Sequence, residues 1–138
     1  MKAKEYLRQA YRLYDLIQSN KEELKQLKQL SVSLPGTDYS KERVQTSNST
    51  DARYTEIIAK IDELERVIRQ EIDDILTLKF EIRSVINSVA DNSEKLVLKY
   101  RYLNFFTWDK ICYKMGISLK TVHRIHNNAL KNVKVDTL

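Results

Sequence analysis

Residues that interrupt regular structure are almost missing from this chain. Its 138 residues include one proline, Pro35, and two glycines, Gly36 and Gly116. Phosphate-cradling loops need several glycines close together, and two so far apart exclude one. With backbone-locking and backbone-freeing residues this scarce, and with Lys, Glu, Leu and Ile abundant, the composition favours helix. A single cysteine, Cys112, excludes an internal disulfide. It has no histidine or second cysteine placed for metal ligation, so it reads as a packed small side chain. No apolar run approaches the ~20 residues a membrane crossing needs. The opening MKAKE leads into charged sequence, which gives no expectation of a signal peptide. Together with the lone cysteine, this points to the cytoplasm.

What is present is unevenly charged. Residues 93–138 hold nine Lys and Arg against three acids, whereas the first 92 residues hold fifteen against sixteen. The whole surplus of positive charge therefore sits in the C-terminal third. A phosphate backbone is the commonest partner of such a concentration, with a solvated basic tail as the alternative.

Hydrophobic periodicity divides the chain into regions. Leu7, Tyr11, Tyr14, Ile17, Leu24, Leu27 and Leu30 recur at steps of three and four, with a polar gap near Asn20. They predict an amphipathic helix over about residues 2–31. Residues 32–50 contain Pro35-Gly36 and many Ser, Thr and Asn, and read as a loop onto which Tyr39 and Val44 can dock. Thr50 or Asp51 then caps a second helix that runs to about residue 89. Its stripe is Ile57, Ile61, Leu64, Ile68, Ile72, Ile75, Leu78, Ile82, Ile86 and Val89. A helix of this length needs its stripe covered. The first helix can fold back antiparallel against it, giving a coiled-coil-like hairpin over residues 1–90. The stripe is wider than a two-helix seam requires, so a contact from the C-terminal region or self-association is expected as well.

Residues 91–138 form the second expected domain, with three short helices. Asp91 followed by Glu94 resembles a capping box. Thr107 is placed to cap a helix from Trp108 to Met115, Gly116 to end it, and Ser118 to cap a last helix from Leu119 to about Val133. Two helices that cross closely need a small residue at the crossing and glycine in the turn. They also need apolar residues on their inner faces. Cys112, Gly116, and Ile111, Met115, Ile117, Val122 and Ile125 meet those needs. The fold class expected is therefore all-α, a long antiparallel helical hairpin followed by a three-helix, helix-turn-helix domain.

In that geometry the last helix enters the major groove N-terminus first. Its outward residues are Ser118, Lys120, Thr121, His123, Arg124, Asn127 and Asn128. Arg can grip guanine and Asn adenine through paired hydrogen bonds. His123 and Arg124 are the candidates for base contact, and Lys120 and Lys131 for phosphate. Thr107 and Ser118 set helix N-termini where backbone N–H groups can meet phosphate oxygens. His123 and His126, three apart, lack a third ligand, so both are read as DNA-facing or surface side chains. Asp73-Asp74 and Glu63-Glu65 lie on a polar helix face with no pocket implied, so no catalytic acid pair is read there. No cofactor, metal or enzymatic activity is expected.

The stretch LVLKYRYLNFFTWDKICYKMGISLKTVHRIHNNALKNV resembles the region-4 helix-turn-helix of bacterial sigma factors. The shared features are the Arg-Tyr pair, the Thr cap, the Gly-Ile-Ser turn, the Thr-Val pair and the Ala-Leu near the end. Cys112 stands where those domains usually have Ala, and Lys110 where they often have Glu. With the long hairpin and the VQTS segment, Val44–Ser47, the layout is similar to small phage and prophage regulators of the ArpU/RinA type. That resemblance implies control of late phage genes at a promoter in a bacterial host cell. The partners it implies are double-stranded DNA and RNA polymerase, with the hairpin a route to a homodimer or higher oligomer. A phage DNA-packaging recognition subunit of the small-terminase type and a structural coiled-coil protein are the alternatives.

Overall fold

The computed structural model describes the backbone of residues 2–33 and 43–135, and the side chains of 2–33 and 51–135. These residues form five α-helices and no strand: α1 (Ala3–Ser33), α2 (Arg43–Asn87), α3 (Asn92–Tyr102), α4 (Trp108–Met115) and α5 (Leu119–Asn132). The chain is all-α. No helix among the described residues is long and apolar enough to cross a membrane.

Helix takes up part of the stretch 32–50 that the composition reads as a loop. α1 runs on to Ser33, and α2 begins at Arg43, so the Val44–Ser47 segment is helical and Thr50 and Asp51 lie inside the helix. No Gly or Pro occurs between Gly36 and Gly116. Ser, Thr and Asn each weaken a helix by only about half a kcal/mol relative to Ala, too little to stop one being extended from a packed segment. The Pro35-Gly36 turn and Tyr39 lie outside the described residues.

The chain divides into two compact units. One is Leu16–Ile72. There the sheltered positions step by three and four, chiefly 17, 20, 24, 27 and 31 on α1 and 57, 61, 64, 68 and 71 on α2. Ile17, Ile61 and Ile68 are buried, each such side chain stabilising by roughly 1.5–3 kcal/mol. Asn20 Nδ2 donates to Glu71 Oε1 at 2.7 Å, and Lys28 Nζ lies 3.5 Å from Glu65 Oε1. Advancing along α1 thus means retreating along α2, an antiparallel sense of contact. The polar gap read at Asn20 is filled by a polar partner in the same helix layer.

The other unit joins Met1–Asp15 to Asp73–Leu138. Its core draws Leu7 and Ala10 from α1, Ile82 and Ile86 from α2, Val97 and Leu98 from α3, Ile111 from α4, and Val122 and Ala129 from α5. α5 packs on both α3 and α4. The buried face of α3 is Glu94, Val97, Leu98 and Tyr102. Leu96 lies off this face and is 38% exposed. Two polar side chains on that face reach α5: Glu94 meets the exposed Asn132, and Tyr102 meets the buried His126.

Candidate nucleic-acid interface

Three caps set the register of α3, α4 and α5. Asp91 Oδ1 accepts from the backbone N–H groups of Ser93 (2.7 Å) and Glu94 (3.1 Å). Only this half of the expected capping box forms, because the Glu94 carboxylate instead accepts from Asn132 Nδ2, at 3.1 and 3.0 Å to its two oxygens. That pair ties the start of α3 to the end of α5. Thr107 Oγ1 accepts from Lys110 N at 3.2 Å, and Ser118 Oγ accepts from Thr121 N at 3.2 Å. The Ser118 and Thr121 hydroxyls are themselves 2.9 Å apart.

Between α4 and α5 the chain reverses at Gly116, which is left-handed at φ 67° and ψ 31°. Its N–H and that of Ile117 both donate to the carbonyl of Cys112, at 2.8 and 3.2 Å. Open space surrounds the position a Cβ would occupy, so the demand for glycine is one of backbone conformation alone. Cys112, Met115, Ile117 and Ile125 are half-buried against the cluster of Val97, Ile111 and Val122. Those inner-face residues lie where their spacing placed them.

α5 presents two contrasting faces. Val122, His126 and Ala129 are buried, and Lys120, Arg124, Asn127, Asn128 and Lys131 are exposed. At 3.6 residues per turn those five fall within an arc of roughly 100°. No Asp or Glu occurs anywhere in α5. Of the remaining candidates, Thr107 and Ser118 are exposed and Thr121 is half-buried. The Thr107 and Ser118 hydroxyls hold the caps described above. His123 sits at the edge of the exposed arc, half-buried, its ring centroid 4.7 Å from that of Trp108.

His126 is not at the surface, where the sequence had placed it. It is 4% exposed, its Nε2 lies 2.8 Å from the Tyr102 hydroxyl, and its ring packs edge-on to Trp108 at 4.8 Å. Burial pushes the imidazole pKa down to about 4, with Lys4, His123 and Arg101 pushing in the same direction. Burial likewise raises the Tyr102 hydroxyl to about 12. Both groups are therefore neutral at pH 7, and one hydrogen bond satisfies the pair. Sequence spacing alone missed this, because a Tyr and a His 24 residues apart carry no pattern.

Aromatic residues before α4 divide their roles. Phe106 and Trp108 pack against the small core. Phe105 faces away, with its ring 5.4 Å from Tyr11, 4.6 Å from Tyr14, and 4.6 Å beneath Lys79 Nζ. It does so from a left-handed backbone, φ 59°, which costs a non-glycine residue roughly 1–2 kcal/mol. Arg101 donates through Nη1 to the Phe106 carbonyl at 3.0 Å and lies 4.5 Å over Trp108 and 5.4 Å from Tyr11.

Against this geometry, the family described as Protein of unknown function (DUF1492) matches residues 31–134, well over half of the chain. The chain belongs to the DUF1492 family. The DUF1492 match takes in α2, α3, α4 and α5 whole, and with them every residue of the exposed α5 arc. Neither the curated proteins nor the solved structures contain a match to the chain.

Proposed function

We propose that this DUF1492 protein is a sequence-specific DNA-binding transcriptional regulator, with α4 and α5 as a helix-turn-helix and α5 as the recognition helix. In this reading α1 and α2 form the helical hairpin that carries residues 91–138. The observation that supports it most is the acid-free exposed arc of α5, Lys120, Arg124, Asn127, Asn128 and Lys131, opposite a face buried in the core. It combines Arg and Asn, which pair with purine edges, with lysines suited to phosphate. Arg124 and Asn127 are the base readers. Lys120 and Lys131 contact the backbone, and His123, held by Trp108, borders the groove rather than probing its floor.

The similarity to sigma region 4 and to ArpU/RinA-type regulators supports the more specific role, activation of late phage or prophage genes in the bacterial cytoplasm, with RNA polymerase as a second partner. The protein acts by binding, not catalysis. Mapping bound DNA across a host genome, with the unaltered chain and with Arg124→Ala, tests the reading. Discrete sites that the variant loses support it. Occupancy at no discrete site contradicts it and favours a structural coiled-coil role.

A further inference from the structure

A cleft of about 130 Å³ opens beside the start of α4, lined by Lys4, Arg8, Tyr11, Arg101, Tyr102 and Trp108. Three cations meet there, and no carboxylate among the described residues lines it. Their convergence is felt by the neighbours, since Lys4 and Arg101 act on the His126 imidazole and Arg8 and Arg101 on the Tyr102 hydroxyl. Gathering like charges this closely is unfavourable, and an anion entering the cleft offsets it. The site is also built: Arg101 is fixed by the Phe106 carbonyl and by the Trp108 face, leaving the exposed Lys4 and Arg8 at the rim.

The cleft is continuous with the α5 arc. Trp108, in its wall, touches His123, and His123 adjoins Lys120 and Asn127 on the helix surface. A strip of side chains thus runs from the exposed arc, through His123 and Trp108, to Arg101, Arg8 and Lys4. Resting on the DNA-binding reading above, we infer that Lys4, Arg8 and Arg101 form a second contact with the DNA phosphate backbone, made by α1 and α3 beside the recognition helix. The duplex contact is then not confined to the basic C-terminal third. It recruits two cations from an N-terminal helix whose sequence region carries no net positive charge.

The test uses the full chain and a labelled random-sequence duplex of ~30 base pairs, titrated by anisotropy at several salt concentrations. Log affinity falls against log salt by roughly 0.9 for each phosphate neutralised. The variant Lys4→Gln/Arg8→Gln is expected to bind on the order of tenfold more weakly at low salt, with a slope shallower by about 2, at unchanged melting temperature. A matched variant, Lys21→Gln/Lys25→Gln, removes two exposed cations of the same helix that do not line the cleft and is expected to bind as the unaltered chain does. Equal affinity and slope in Lys4→Gln/Arg8→Gln and the unaltered chain overturn the inference while leaving the α5 reading standing. So does an equal loss in both variants. Absence of duplex binding by the unaltered chain overturns both readings together.

Discussion

Two polar pairs join α3 to α5, and one of them, Tyr102–His126, is buried. Tyr102 and His126 are both neutral at pH 7, and their single hydrogen bond is the reason His126 can be 4% exposed without a charge partner. Protonation has a definite sign here. His126 has a pKa of about 4 when folded against the usual 6.5, so the unfolded chain binds the extra proton between those values. Its contribution is complete above pH 6.5 and is lost as pH falls through 4. At about 1.4 kcal/mol per pKa unit, less partial solvation, the loss is of order 2 kcal/mol. Melting temperature should therefore fall between pH 7 and pH 5, and His126→Phe should flatten that fall. Tyr102→Phe removes the partner but not the burial of His126, and is expected to cost about 1–3 kcal/mol by thermal melting at pH 7. Asn132→Ala removes the donor to both Glu94 oxygens and should cost less, about 0.5–1.5 kcal/mol, because Asn132 is exposed and water can take its place. At Gly116 the cost is conformational. Gly116→Ala should destabilise by roughly 1 kcal/mol with no steric clash, and Gly116→Val by more, because its branched Cβ resists positive φ.

At the level of helices, caps and inner faces were legible in the sequence because each is a local rule. Thr107, Ser118 and Asp91 accept from N–H groups two or three residues ahead, and Gly116 follows directly on the last residue of α4. What was not legible depended on distant partners or on weak stop signals. The Glu94–Asn132 and Tyr102–His126 pairs span 38 and 24 residues, so no window contains both members. The early start of α2 was hidden by Ser, Thr and Asn, which permit a loop without compelling one. The exposed arc of α5 followed from 3.6-residue periodicity, whereas Lys4 and Arg8 were indistinguishable in sequence from any solvated helix face. The Asn20–Glu71 pair among apolar α1 and α2 positions yields a prediction at this scale. Replacing both with leucine should raise the melting temperature, because apolar packing commonly outperforms a sheltered polar pair. Asn20→Ala alone should lower it, since Glu71 then loses its donor. Equal melting temperatures for the two variants would show that the pair has no packing role.

Across the whole molecule, charge and shape divide the work. The surplus of Lys and Arg lies in the C-terminal third, and within it α5 carries no acid at all. Association with a polyanion governed by such a surface is steered by long-range attraction and weakens steeply as salt rises. In the proposed reading specificity has a separate origin, in the few side chains that can reach base edges, and substitutions should separate the two. Lys131→Gln should weaken binding to all duplexes alike and reduce the salt slope by about 1. Arg124→Ala should cost about 1–3 kcal/mol at its preferred site and narrow the gap between that site and random DNA. The most direct test of the account is the ratio of affinities for a genomic site selected by the protein and for a random duplex, measured with the unaltered chain and with Arg124→Ala at one salt concentration. The account predicts a ratio of ~10³ or more that collapses in a variant whose melting temperature is unchanged. A ratio near one for the unaltered chain, or one that Arg124→Ala leaves intact, contradicts it.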